Sequence, residues 1–259
     1  MQFLDFWHLF WIFFYFGSTI LLCIFLKNKS KKFQQIFIYS LIFINFVIHF
    51  LGPIIIHTQP HIRFMHISMI NICAVLVFLS PFLYFQKDNL LKPGWLLMSI
   101  IGSLGMVGFP EAAIGHSPLS LNILRMFVQH LILLYVPILI IFLEHEKLKF
   151  YHVFSSAIFY VLIIYINIAN DAILYTIGIF PNIHFWNGSF QWHPGSLYRA
   201  VNWAIPYVFL QTPFGVNQGN FMYWPVFYMI PVIFLLIIPV SFLIILFFKK
   251  FNTKSNNGN

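Results

Sequence analysis

Charge is what this sequence has least of. Only 8% of its 259 residues are Asp, Glu, Lys or Arg, and six of them are acidic. A soluble domain of that length must wet its outside, and a chain that is 60% hydrophobic has too little polar surface to do so. The composition excludes a soluble globule and predicts an integral membrane protein. Cysteine is scarce as well. Cys23 and Cys73 both lie in apolar runs, which excludes a disulfide framework and a CxxC metal or redox motif. GxSxG, HExxH, Walker A and GxGxxG are all missing, and with them the signatures of the common soluble hydrolases, zinc proteases and nucleotide-binding folds. His57 and His61 stand four apart but straddle Pro60, which breaks the helix that would align them on a metal. No cofactor is expected.

What is present is hydrophobic length. A helix rising 1.5 Å per residue needs roughly 20 apolar residues to cross a core of about 30 Å. Runs of that kind cover about 7–26, 35–57, 64–85, 94–109, 121–143, 151–180 and 223–248, the fourth being the shortest and richest in glycine. The expected fold is all-α: a polytopic, seven-helix transmembrane bundle forming a single domain over 1–248. Residues 181–222, rich in Trp, Asn, Gly and His, read as an outer cap with a short interfacial helix around 197–210, and 249–259 as a polar, disordered cytoplasmic tail. No internal repeat is visible, which weighs against inverted-repeat transporters.

The formal charge of +8 would suggest nucleic acid in a soluble protein, but here the lysines fall between the spans. Lys27, Lys29, Lys31 and Lys32 follow the first run, Lys87 and Lys92 the third, Lys147 and Lys149 the fifth, and Lys249, Lys250 and Lys254 the seventh. Short loops rich in Lys stay cytoplasmic, so the N terminus is expected outside and the C terminus inside. The three arginines, Arg63, Arg125 and Arg199, fall toward the other face. Asp5 before the first run and KNKSKK after it mark a retained span rather than a cleaved signal peptide.

With orientation set, polar side chains on four runs share one depth, in the outer half of the membrane. They are Asn45 and His49; His66, Ser68 and Asn71; Arg125, Gln129 and His130; and Asn167, Asn170 and Asp171. Each strongly polar group at a span's centre costs about 2.5–3.5 kcal/mol on insertion, so such groups face the bundle interior and find partners. A polar cavity open to the outer side satisfies them together. Arg125 lies about one turn inside the interface, able to bind a lipid phosphate or pair with Asp171 or Glu111. His130, about nine residues in, lies near ~13 Å depth and needs an acceptor for its ring hydrogen. Asn167, Asn170 and Asp171 fit either a structural clasp or the orienting of a catalytic histidine.

Short motifs add a resemblance. FMHISMINIC (64–73), FVQHLILLYVPI (127–138), NWAIPYVFLQTP (202–213) with Asn202, Tyr207 and Pro213, and the Trp224–Pro225 start of the last run resemble the YwaF-like integral membrane family. The resemblance runs from the third helix to the end. The family's eukaryotic relatives are described as acyltransferases acting on ether phospholipids. It implies a buried histidine site with His66 and His130, and a cysteine nucleophile two residues after the first histidine, where this chain has Ser68.

The expected activity is therefore acyl transfer on membrane phospholipids in the plasma membrane. Ser68 is the nucleophile and His130 the general base. His66 or Asn71 polarises the carbonyl or orients the base, and Arg125 holds the phosphate. Cys73, about 1.5 turns deeper, is the nucleophile only under a shifted register. Two rivals remain: a seven-helix sensor binding a lipophilic ligand, and a transporter relaying protons through Asp171, His130 and His49. The almost purely apolar inner halves weigh against the second.

Overall fold

The computed structural model describes residues 1–60, 63, 67–69, 71–87, 90–110, 113–176, 216–217, 220–221 and 233–256. His66, Asn202, Tyr207, Pro213, Trp224, Pro225 and most of the expected cap lie outside the described residues, as does the side chain of Asp171.

Seven α-helices form the described chain: α1 Phe6–Lys27, α2 Lys31–Ile56, α3 Ile72–Leu83, α4 Leu91–Gly108, α5 Leu121–Phe142, α6 His152–Thr176 and α7 Ile238–Asn256. A π-helical turn, Ile233–Ile237, leads into α7. Five segments are long and apolar enough to cross a membrane: α1, α2, α4, α5 and Ile233–Lys250. Among the described residues the only extended pairing is a short antiparallel one, Val216 with Phe221 and Asn217 with Asn220. It falls in the expected cap.

Local chemistry sets several helix ends. The Asp5 side chain caps α1 by accepting from His8 N at 2.9 Å. That bond and one from Gln2 N hold its carboxyl below the usual carboxylate range. Ser30 caps α2 through Phe33 N at 3.3 Å. At the end of α5, Glu144 takes a left-handed φ of 60°. His145 N bonds Ile140 O at 2.9 Å and Glu144 N bonds Ile141 O at 3.2 Å. This is the Schellman pattern, built on a glutamate where glycine is the usual residue. Glu144→Gly should therefore stabilise the protein by about 1 kcal/mol, by relieving the backbone and removing a negative charge from a helix C terminus. Thermal unfolding in detergent checks this; a lower midpoint would contradict it.

Contacts at the helix ends show successive helices running antiparallel. At one end, Lys31 Nζ donates to Leu143 O, Lys92 Nζ lies 3.6 Å from a Glu146 carboxylate oxygen, and Lys249 Nζ sits 3.5 Å over the Phe150 ring. At the other, the Met1 ammonium donates to His116 O at 2.7 Å and His8 Nε2 donates to Val107 O at 2.8 Å. The lysine-rich ends thus gather together.

The core sits between α4 and its neighbours. α4 packs most extensively on α6 and α5, then on α3, with smaller contacts to α1 and α7. The least regular run of the sequence is the hub of the bundle. Small residues are the reason, because without a hydrophobic drive inside lipid, helices associate by close backbone approach. A Cβ on Gly94 would lie 2.5 Å from Ser155 O and 2.7 Å from Phe159 Cβ, so α6 rests directly on that glycine. The outward faces of α1 and α2 are apolar, with Phe13 73% and Ile55 78% exposed. That suits lipid and not water.

Two boundaries differ from expectation. The tail at 249–259 is helical as far as Asn256, because α7 continues through Lys249 and Lys250. The third run, expected as one helix over 64–85, is broken: Ile67 is helical, Ser68 and Met69 are not, and α3 begins at Ile72 after an extended Asn71.

Candidate functional site

The break in the third run is where the polar side chains gather. Unwinding a helix frees carbonyls that hydrocarbon cannot satisfy, so the break persists only where other helices supply donors. Two do. His49 on α2 donates Nε2–H to Ile67 O at 2.8 Å. Asn167 on α6 donates Nδ2 to Met69 O. The carbonyls on both sides of Ser68 are therefore held from different helices. Asn71 Oδ1 accepts from Ala74 N at 2.8 Å and caps α3. Its side-chain oxygen serves the new helix start.

His130 on α5 is half-buried and bonds Met126 O through Nδ1 at 2.8 Å. A carbonyl only accepts, so the proton is on Nδ1 and Nε2 keeps its lone pair. That is the tautomer a general base needs. Gln129 is buried, and its backbone oxygen accepts from Asn45 Nδ2 at 3.2 Å. Asn45 and His49 are four residues apart on α2, about 6 Å of rise. One face of α2 thus bonds the residue beside His130 and the residue beside Ser68, at points about one helical turn apart.

Arg125 crosses from α5 to α2. A Cβ on Gly52 would come within 2.5 Å of Arg125 Cδ, so the glycine makes room for the side chain. One guanidinium nitrogen of Arg125 donates to Asn122 Oδ1 at 3.1 Å. Both expected acidic partners, Asp171 and Glu111, are beyond description at the side chain. Asn170 on α6 is half-buried. Four polar atoms here are buried with no hydrogen-bond partner: Asn45 Oδ1, Asn167 Oδ1, Asn170 Nδ2 and Arg125 Nε. Such atoms are costly in a dry interior and are where water or a polar ligand is expected to bind.

Of the sequence candidates, then, Ser68, Asn71 and Asn167 meet at the break. Gln129 O meets α2 one turn from the His49 clasp, with His130 next to it in sequence, and Arg125 meets α2 at Gly52, about one turn beyond His49. His49 has a larger part than its sequence position suggested; the available signal was its spacing of four from Asn45 at the same depth. Cys73 Sγ lies 3.5 Å from where a Cβ of Gly102 would be, which places the thiol in the α3–α4 contact. Among the described residues no three His, Cys, Asp or Glu side chains converge as metal ligands. No family model, curated protein or solved structure matches the chain.

Proposed function

We propose that this chain is a seven-span membrane protein, N terminus outside and C terminus cytoplasmic, that transfers acyl chains of phospholipids through Ser68. The observation that carries the reading is the break in the third run. It sets Ser68 in non-helical backbone just before a helix start, and the positive end of a helix suits an oxyanion. The gathered lysine ends support the orientation, and the YwaF-like resemblance supports the plasma membrane as its location.

In this reading the substrate enters sideways from the bilayer, with Arg125 holding its phosphate. Ser68 Oγ attacks the ester carbonyl as His130 Nε2 takes the hydroxyl proton. The tetrahedral oxyanion is met by N–H groups at the start of α3. Collapse breaks the ester C–O bond, His130 returns the proton to the departing alcohol, and the acyl chain stays on Ser68. A second hydroxyl, deprotonated by His130, then takes the acyl chain and frees the serine. His66 and Asn202 enter only through the resemblance.

The test is a quantitative lipid profile of membranes from cells expressing the wild type, Ser68→Ala or His130→Ala at equal protein levels. A change in phospholipid acyl composition that both variants abolish is expected. Three profiles equal to the empty vector would overturn the reading. The four unpartnered polar atoms favour the second reading in that case, a sensor or transporter with a polar ligand seated among α2, α5 and α6.

A further inference from the structure

The chain divides its cations by type. All eleven lysines lie in or beside the segments that meet at one end of the bundle, whereas the two described arginines, Arg63 and Arg125, do not. Orientation needs only positive charge, which lysine supplies. Arginine adds a planar fork of donors that matches phosphate oxygens two at a time.

Two of the arginines converge on the end of α2 opposite the lysines. Arg125 reaches it from α5 and lies against Gly52. Arg63 follows α2 in sequence and donates Nε to His57 O, the C-cap carbonyl. Their docking points are five residues apart, about 7.5 Å of helical rise. Burial, and after it the charges of Arg125 and Arg63, hold the His57 imidazole below its usual range. Two guanidinium groups this close repel, and the carbonyl end of α2 offsets only part of that. Among the described residues no carboxylate forms an ion pair with either arginine. Arg125 Nε is buried with no partner at all. Among the described residues the arrangement has no anion, and Arg125 lies about one turn into α5, near where a spanning bundle meets lipid headgroups.

We propose that Arg63 and Arg125 form a two-armed seat for a phosphate group at the end of the bundle opposite the lysines, with Gly52 as the gap through which Arg125 reaches it. The seat adds a second arm to the role given to Arg125 above. It rests on the membrane-spanning reading and on no step of acyl chemistry. Its ligand is a phosphate ester or free phosphate, and a phospholipid headgroup and a soluble phosphate share that chemistry.

The experiment is binding without turnover, so an absence of acyl transfer leaves it intact. The full chain in detergent is titrated with dioctanoyl phosphatidylglycerol, with dioctanoylglycerol, which lacks phosphate, and with inorganic phosphate; thermal unfolding is the readout. The phospholipid should raise the unfolding temperature of the wild type. Arg63→Gln and Arg125→Gln should each raise its half-saturating concentration at least tenfold, and Arg125→Lys should weaken binding despite keeping the charge. Inorganic phosphate competing at millimolar level or below would identify a free phosphate as the ligand; competition only far above that would identify the headgroup. The proposal falls if both glutamine variants bind as the wild type does, or if dioctanoylglycerol binds as tightly with the same arginine dependence. Should Arg125→Gln not fold, Arg63→Gln and Arg63→Lys carry the test, because the only described side-chain bond of Arg63 is to the end of α2.

Discussion

Gly94→Ala is expected to destabilise the protein by up to about 2 kcal/mol, although alanine is the better helix former. In an open helix position the exchange gains about 0.5–1 kcal/mol. At Gly94 the new methyl would meet the Ser155 carbonyl oxygen at 2.5 Å and Phe159 Cβ at 2.7 Å, and neither is the free end of a flexible side chain. α4 and α6 must move apart, which costs about 1–3 kcal/mol and disturbs the largest helix contact of the bundle. Gly105, on the same helix, has nothing within 4 Å of its would-be Cβ. Gly105→Ala should leave stability unchanged or raise it by up to about 1 kcal/mol. Unfolding of both variants in detergent decides the matter. Equal behaviour would mean that α6 does not rest on Gly94.

Removing a clasp of the third run should cost both stability and activity. Asn167→Leu leaves Met69 O without a donor, and His49→Leu does the same to Ile67 O. A buried acceptor left unpaired costs about 1–3 kcal/mol. The segment can escape that cost by rewinding into helix, which would shift Ser68 from its present place. Either variant should lower acyl transfer on the order of 100-fold, the scale set by misplacing a reacting group by about 1 Å. His49→Gln restores a donor and should recover part of both losses. Because the two clasps hold one segment, their stability effects should be non-additive, with a coupling of about 0.5–3 kcal/mol. Additive losses, or an Asn167→Leu protein with wild-type activity, would show that the break does not position Ser68.

How far the sequence carried the fold follows from what each signal measures. Run length and lysine placement foretold the helices and the shared lysine end, because both are properties of single segments. Hydropathy undervalued α4: glycine and serine read as weak membrane residues, yet Gly94 and the fully buried Ser99 and Ser103 are what allow neighbours close. FMHISMINIC reads as continuous helix for the same local reason. The donors that stabilise its break are far along the chain, at His49 and Asn167, and only their depth was visible. Asn71 is a partial exception, since asparagine before an apolar run is a recognised helix start. Depth matching singled out Asn45, His49 and Asn167, but it did not reveal that Asn71 Oδ1 caps α3 through Ala74 N. The lysines of 249–259 read as tail, but nothing in Lys249–Asn256 forbids a helix already nucleated in α7 from continuing.

The central claim is that Ser68 is an activated nucleophile within the bundle. Its most direct test is to incubate the purified protein with a lipid-like fluorophosphonate, which reacts with activated serines, and to locate the adduct by peptide mass spectrometry. The account predicts one adduct on Ser68, absent in Ser68→Ala and strongly slowed in His130→Ala. A Ser68 that stays unmodified while the protein is folded, or labelling that His130→Ala leaves unchanged, would contradict it.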